Sequence, residues 1–295
     1  MRYIAAVRFP IRVCWRFITD YPESAHITKA ILKSFLTTYD LWRNYLSPKM
    51  TLDLDLNGKI IWEVAGNQWA KRIEEYAQLR IVVAGNQKID RARRYVVAVN
   101  HTSTLDIIAV AKAVPDGMFV VKSNIMKSRY PIISTALRKG GHITVERGNT
   151  VQATKAIDEG MKRRPRTSPI FFVEGTRSPD GRIARFKKGA FRVAIDHGLP
   201  ILPIVISGSH RALPKGSLMG LRRGSTIYVE CLDPIETQGM GPDDVPALLE
   251  RTRELMMNVY YSYSCNPGPH ETEEPAVPRG PALETHDERV VRPFI

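Results

Sequence analysis

The chain has 295 residues, of which 43% are hydrophobic and 25% charged, which fits a globular protein burying a sizeable core in one large domain with appendages or two small ones. Its formal charge is +13, and the last 32 residues carry six acids and three bases, so residues 1–263 hold +16; such an excess implies an anionic partner, whether nucleic acid, an anionic membrane surface or a phosphorylated substrate. Three widely spaced cysteines, Cys14, Cys231 and Cys265, offer no disulfide framework and no zinc-ligand spacing, and suit a reducing compartment.

Residues 1–20 set Arg8, Arg12 and Arg16 on one side of a helix and Ile11, Trp15 and Ile18 on another. A basic amphipathic segment with tryptophan fits an interfacial membrane anchor, or a surface helix docked on the body of the protein. The same arginines interrupt any apolar core of a signal peptide, and no run of about 18 apolar residues predicts a transmembrane helix. Over 21–80, Ile27, Ile31, Phe35, Tyr39, Trp42 and Tyr45 recur at intervals of three and four, ending at Ser47-Pro48. Beyond Asn57-Gly58, Ile61, Val64, Trp69, Ile73, Tyr76 and Leu79 suggest a second, less regular helix. This pair either packs on the main domain or rests on a bilayer.

An α/β domain is expected over 81–263. Short β-branched runs at 80–84, 94–100, 118–122, 143–146, 169–173, 201–206 and 225–231 alternate with helical stretches at 105–113, 128–139, 150–163 and 188–197. A final helix falls near 243–262. The alternation predicts a mostly parallel or mixed sheet flanked by helices. From 264 to 295 the chain holds six prolines and few large apolar residues, and is expected to form a disordered, acidic tail.

Several strands end in polar clusters, and in open α/β sheets the ligand crevice lies beyond the carboxyl ends of the strands. The first runs Val-Ala-Val-Asn-His-Thr-Ser-Thr-Leu-Asp from Val97 to Asp106. If His101 ends a strand and Asp106 lies in the first turn of the next helix, the carboxylate can orient the imidazole as a base for a hydroxyl. Gly141 to Arg147 places an arginine after a strand, and Phe172 to Ser178 places Arg177 after another. Arginine's planar fork suits a phosphate better than a lysine ammonium does. Lys122, Lys187 and Lys188 are weaker phosphate candidates, because surface lysines often only keep a face solvated. His142 and His197 read as structural histidines, and Glu146 as a structural partner for a base.

In these residues the chain resembles the glycerolipid acyltransferases typified by 1-acyl-glycerol-3-phosphate acyltransferase. Asn100-His101-Thr102-Ser103-Thr104-Leu105-Asp106 matches the Asn-His-x-Ser-x-x-Asp block at every defined position. Phe172-Val173-Glu174-Gly175-Thr176-Arg177-Ser178 matches the Phe-Pro-Glu-Gly-Thr-Arg-Ser block with valine for proline. Gly141 to Arg147 matches the Gly-x-x-Phe-Ile-Asp-Arg block loosely, with Thr144, Val145 and Glu146 at its centre, and Pro200 and its strand match the fourth block. The resemblance implies that His101 is the general base and Asp106 its partner. It implies that Arg147 and Arg177 contact the acceptor's phosphate while Glu174 and Gly175 shape that site; Thr176 and Lys122 complete the set of phosphate-binding candidates.

The expected reaction moves an acyl group from acyl-CoA or acyl carrier protein to the hydroxyl of lysophosphatidic acid, with the thioester as co-substrate and no cofactor or metal. Backbone N–H groups in the turn after His101 are candidate oxyanion donors. No serine or cysteine stands out as a covalent nucleophile, so direct transfer is expected. The expected location is peripheral, on the cytoplasmic face of a membrane. Two rival classes are a non-catalytic protein bound to anionic membranes and a nucleic-acid binder. The second is suggested by charge alone, without a zinc finger or RNA-recognition block, and no nucleic acid is expected.

Overall fold

A computed structural model describes residues 71, 74, 75, 78–125, 140–146, 148, 150–216 and 221–265. The basic segment 1–20, nearly all of the helical pair 21–80, the helix expected at 128–139, and the tail beyond residue 265 lie outside the described residues. The strands are β1 (Arg80–Ala84), β2 (Val96–Val99), β3 (Met118–Lys122), β4 (Ile143–Val145), β5 (Pro169–Phe172), β6 (Ile201–Ser207) and β7 (Thr226–Cys231). The helices are α1 (Asp106–Ala113), α2 (Thr150–Arg163), α3 (Gly189–Asp196), the single turn α4 (Ser209–Ala212) and α5 (Val245–Cys265).

The strands form one mixed sheet in the order β1-β7-β6-β2-β5-β3-β4. β6, β2, β5, β3 and β4 run parallel, while β7 is antiparallel to β6 and β1 is parallel to β7. The central strands are uniformly apolar because both sheet faces are covered. In β6, Leu202, Ile204 and Ile206 join a core with Ile108, Ala109 and Ala113 of α1, and Ile201 and Val205 join a core on the other face with Phe191 of α3 and Met256 of α5. The period-2 alternation of strand side chains thus feeds two hydrophobic layers at once.

This layering sets where a site can form. α1 leaves the end of β2 toward one face, and α3 follows β5 on the other. β2 and β5 are neighbours, with Val99 beside Phe172. Helices diverging from adjacent parallel strands open a crevice at the carboxyl edge of the sheet. Among the described residues no helix is long and apolar enough to cross a membrane.

Candidate active site

The crevice is built from the two segments that leave β2 and β5. After β2, the Asn100 amide donates to the Ile206 carbonyl at 2.9 Å and accepts from the Ile206 N–H at 2.8 Å. This pair prolongs the β2–β6 ladder by one side chain and fixes the point where the chain turns to His101. The His101 N–H donates to Glu174 Oε1 at 2.7 Å, and the His101 carbonyl accepts from the Ser178 N–H at 2.8 Å. The segment after β5 therefore holds the histidine's backbone on both sides.

His101 Nδ1 lies 2.9 Å from Asp106 Oδ2, and the Asp106 side chain is fully buried while that of His101 is 14% exposed. The same oxygen accepts the N–H groups of Thr102 at 2.7 Å and Ser103 at 2.8 Å. A carboxylate oxygen only accepts, so Nδ1 is the donor of this bond, and in the neutral ring the lone pair then lies on Nε2. Nε2 has no hydrogen-bond partner among the described residues. A carboxylate in the first turn of α1 also faces the positive end of that helix. Stacked on the imidazole is Phe172, the last residue of β5, with ring centroids 3.9 Å apart and planes 17° from parallel.

Glu174 is 3% exposed, and its second oxygen accepts the Ala184 N–H at 2.8 Å. Burial pushes its carboxyl up to about 7, helped by the nearby Asp106 and Asp180 carboxylates and opposed by the two backbone N–H groups. Gly175 turns the chain with φ +73°, a left-handed conformation that suits glycine. Thr176 is exposed. Arg177 is partly exposed and donates from Nη1 to Thr104 Oγ1 at 2.7 Å, which brings its guanidinium over the turn that follows His101. Lys215 Nζ donates to the Arg177 carbonyl at 2.8 Å.

The sheet thus gathers His101, Asp106, Glu174, Gly175, Thr176 and Arg177 at one edge. Lys122, partly buried at the end of β3, lies on the same edge beyond β5. Glu146 follows β4 and is exposed; Arg147 lies outside the described residues. Lys187 and Lys188 are exposed just ahead of α3. Pro200 stands at the opposite edge, where its carbonyl accepts the Val96 N–H at 2.9 Å, so the fourth block meets the crevice only through the far end of β6. The N–H groups of Thr102 and Ser103 are spent on Asp106 and that of Leu105 on Ser103 Oγ, which leaves Thr104 as the turn residue before Asp106 whose N–H has no partner among the described residues.

His142 is buried and accepts the Phe119 N–H on Nδ1 at 3.1 Å; burial and the nearby Arg164 push its pKa down to about 3, so it stays a neutral structural group. His197 Nε2 meets Asp158 Oδ1 at 2.9 Å near the surface. The contacts that sequence reasoning missed are the Asn100 clamp, the Phe172 stack and the Ser178 N–H, all of which depend on strand register. The signals available were the position of Asn100 next to His101 and of Phe172 at a strand end. Among the described residues no cluster of His, Cys, Asp or Glu is arranged to hold a metal ion.

The mixed α/β sheet flanked by helices agrees with the comparisons to known proteins. The family model described as Acyltransferase matches residues 80–207. The 1-acyl-sn-glycerol-3-phosphate acyltransferase alpha of Homo sapiens is 31% identical over 192 residues, 63% of this chain and 65% of that protein. The putative 1-acyl-sn-glycerol-3-phosphate acyltransferase acl-2 of Caenorhabditis elegans is 30% identical over 195 residues, 65% of this chain and 67% of that protein. The crystal structure of the 1-acyl-sn-glycerophosphate (LPA) acyltransferase PlsC from Thermotoga maritima shares the fold with a TM-score of 0.60 at 23% identity, covering 90% of this chain and 98% of that one. The match spans about 65% of the length of the mammalian relatives. The chain belongs to the 1-acyl-sn-glycerol-3-phosphate acyltransferase family.

Proposed function

We propose that this chain transfers a fatty acyl group from an acyl thioester, acyl-CoA or acyl carrier protein, to the free hydroxyl of 1-acyl-glycerol-3-phosphate, giving phosphatidic acid. The observation that carries the reading is the 2.9 Å contact between His101 Nδ1 and the buried Asp106 carboxylate, at the mouth of a crevice that also holds Arg177. Asp106 fixes the tautomer, so Nε2 takes the acceptor's proton as the hydroxyl oxygen attacks the thioester carbonyl. General-base help of this kind contributes roughly 10²–10⁴-fold.

Arg177 grips the acceptor's phosphate, and a charge-assisted contact of this type contributes about 1.5–3 kcal/mol before ordering costs. Arg147 is the second guanidinium proposed for that phosphate, with Lys122 and Thr176 on the same edge. Glu174 and Gly175 support the site from beneath, since both Glu174 oxygens accept backbone N–H groups. The Thr104 N–H is the oxyanion donor left over by the Asp106 contacts. The name of the human relative supports lysophosphatidate as acceptor. The loose match of the Gly141 to Arg147 block favours, as a second reading, another lysophospholipid or glycerol-3-phosphate. The formal charge of +13 supports peripheral binding to an anionic membrane surface, on its cytoplasmic face.

The test incubates purified full-length protein with acyl-CoA and a panel of lyso-acceptors and glycerol-3-phosphate, then repeats the assay with His101→Ala. Phosphatidic acid formed from lysophosphatidic acid, and reduced at least about 100-fold in His101→Ala, is the expected result. Thiol release indifferent to the acceptor makes the chain a thioesterase. Binding to anionic vesicles with no turnover by the wild-type chain makes it a non-catalytic membrane protein.

A further inference from the structure

We infer that Phe172 is a positioning residue for the base: its ring face stabilises the positive charge that the His101 imidazole acquires when it takes the acceptor's proton. The inference rests on the acyl-transfer reading above. In that reaction the hydroxyl proton moves to His101 Nε2, the oxygen bonds to the thioester carbon, the carbon–sulfur bond breaks, and the departing thiolate takes the proton back from Nε2. The products are an ester and a free thiol, and His101 returns to its neutral form. The imidazole is thus cationic only between the two proton transfers.

Asp106 holds one edge of the ring and Phe172 covers one face, at a centroid separation of 3.9 Å and an interplanar angle of 17°. An aromatic face carries negative quadrupole charge and attracts a cation centred within about 6 Å of it. A neutral imidazole gains little from that face beyond dispersion, so the attraction grows as the proton arrives. An interaction stronger in the transition state than in the ground state raises kcat rather than tightening substrate binding.

The stack is fixed from behind. Phe172 ends β5 in register with Val99 of β2, and His101 lies two residues further along that strand's direction, so the two rings meet on one side of the sheet. Phe119, 2% exposed, stacks on Phe172 with centroids 5.9 Å apart. Phe119 is itself held by His142, edge-on at 5.7 Å and through its N–H. Four rings from β5, β3 and the segments after β2 and before β4 therefore form a row ending at the reacting imidazole.

The test replaces Phe172 by leucine, by tyrosine, and by mono-, di- and trifluorophenylalanine in the full chain. Fluorination weakens the quadrupole in steps at nearly constant size. Phe172→Leu is expected to lower kcat by about 2- to 30-fold, with KM for the acceptor unchanged. Phe172→Tyr is expected to restore most of the rate, and each added fluorine to lower it further. Wild-type kcat in Phe172→Leu, or a trifluoro variant as fast as wild type, overturns the inference.

A second readout does not need acyl transfer. Carbethoxylation of His101 by diethyl pyrocarbonate, followed by mass spectrometry of its peptide, develops the same positive charge on the ring and is expected to slow across the fluorine series. A flat series overturns the inference. A sloping series in a chain that acylates no lysolipid overturns the acyl-transfer reading and leaves the stack standing.

Discussion

A carboxylate placed among groups meant for a phosphate would repel that phosphate if it faced it. The Glu174 oxygens instead accept the N–H groups of His101 and Ala184, so its charge is directed into the backbone that carries the base. Burial raises its pKa to about 7, above the unfolded value of 4.5. Between those values the folded chain keeps a proton that the unfolded chain has lost. Stability contributed by this group is therefore full below about pH 4.5 and is lost as the pH rises through about 7. Glu174→Gln does not titrate, so its stability relative to wild type should rise between pH 4.5 and 7 and level off above. The total change is on the order of 3 kcal/mol. Urea unfolding of both proteins at pH 5, 6, 7 and 8 measures it, and parallel stability curves would exclude the effect. His101 and Asp106 were legible at this scale because their contact is local, five residues apart across one turn. The Glu174 contacts were not, because 73 residues separate it from His101 and only the β2–β5 pairing closes that gap.

At the scale of elements, the seven strands follow the apolar runs closely, as do α1, α2, α3 and α5. Their patterns are strong because both faces of the sheet are covered. β6 is the informative case, since Pro203 in a central strand removes a ladder donor. The strand survives because its pairing with β7 starts only at Ile204, and its seven residues are all buried. Strand order was not legible: nothing in a run of valines and isoleucines says that β7 turns back antiparallel on β6. That reversal has a local cost, which falls on Gly208. It stands between β6 and α4 with φ +83°, and a Cβ there would lie 2.3 Å from the Thr226 carbonyl oxygen of β7. Gly208→Ala therefore combines left-handed backbone strain with a clash against main chain. The strain alone is about 1–2 kcal/mol, which corresponds to a Tm lower by roughly 2–8 °C. Thermal unfolding followed by circular dichroism checks this, and an unchanged Tm would mean that β7 moves away without loss.

At the scale of the molecule, the proposed acceptor is a lipid, so the carboxyl edge of the sheet has to meet a membrane surface. The chain's charge suits an anionic surface, but charge alone does not choose which side of the protein docks. Exposed apolar side chains do, because they gain from leaving water whatever the ionic strength. Val151 is 80% exposed, the most exposed of the large apolar residues among those described. It is the second residue of α2, which begins shortly after β4 ends at the same sheet edge as His101. Leu255 and Tyr261, the other exposed large apolar residues described, lie on α5, which packs in the same layer as α2. The edge that carries the crevice therefore offers Val151, at the start of α2, as its most exposed apolar side chain. Full burial of a valine side chain contributes about 1.5 kcal/mol, near a tenfold change in an equilibrium constant, and a glutamate there would add repulsion from anionic lipid. Val151→Glu should weaken sedimentation with anionic vesicles about tenfold and lower turnover of vesicle-borne lysophosphatidate in proportion. Turnover of a short-chain acceptor dissolved as monomer should stay at the wild-type value, since Val151 is not among the residues that contact His101, Asp106 or Arg177. Equal losses on both substrates would mean that the substitution damages the crevice itself, and no loss on either would turn the membrane toward another face of the sheet.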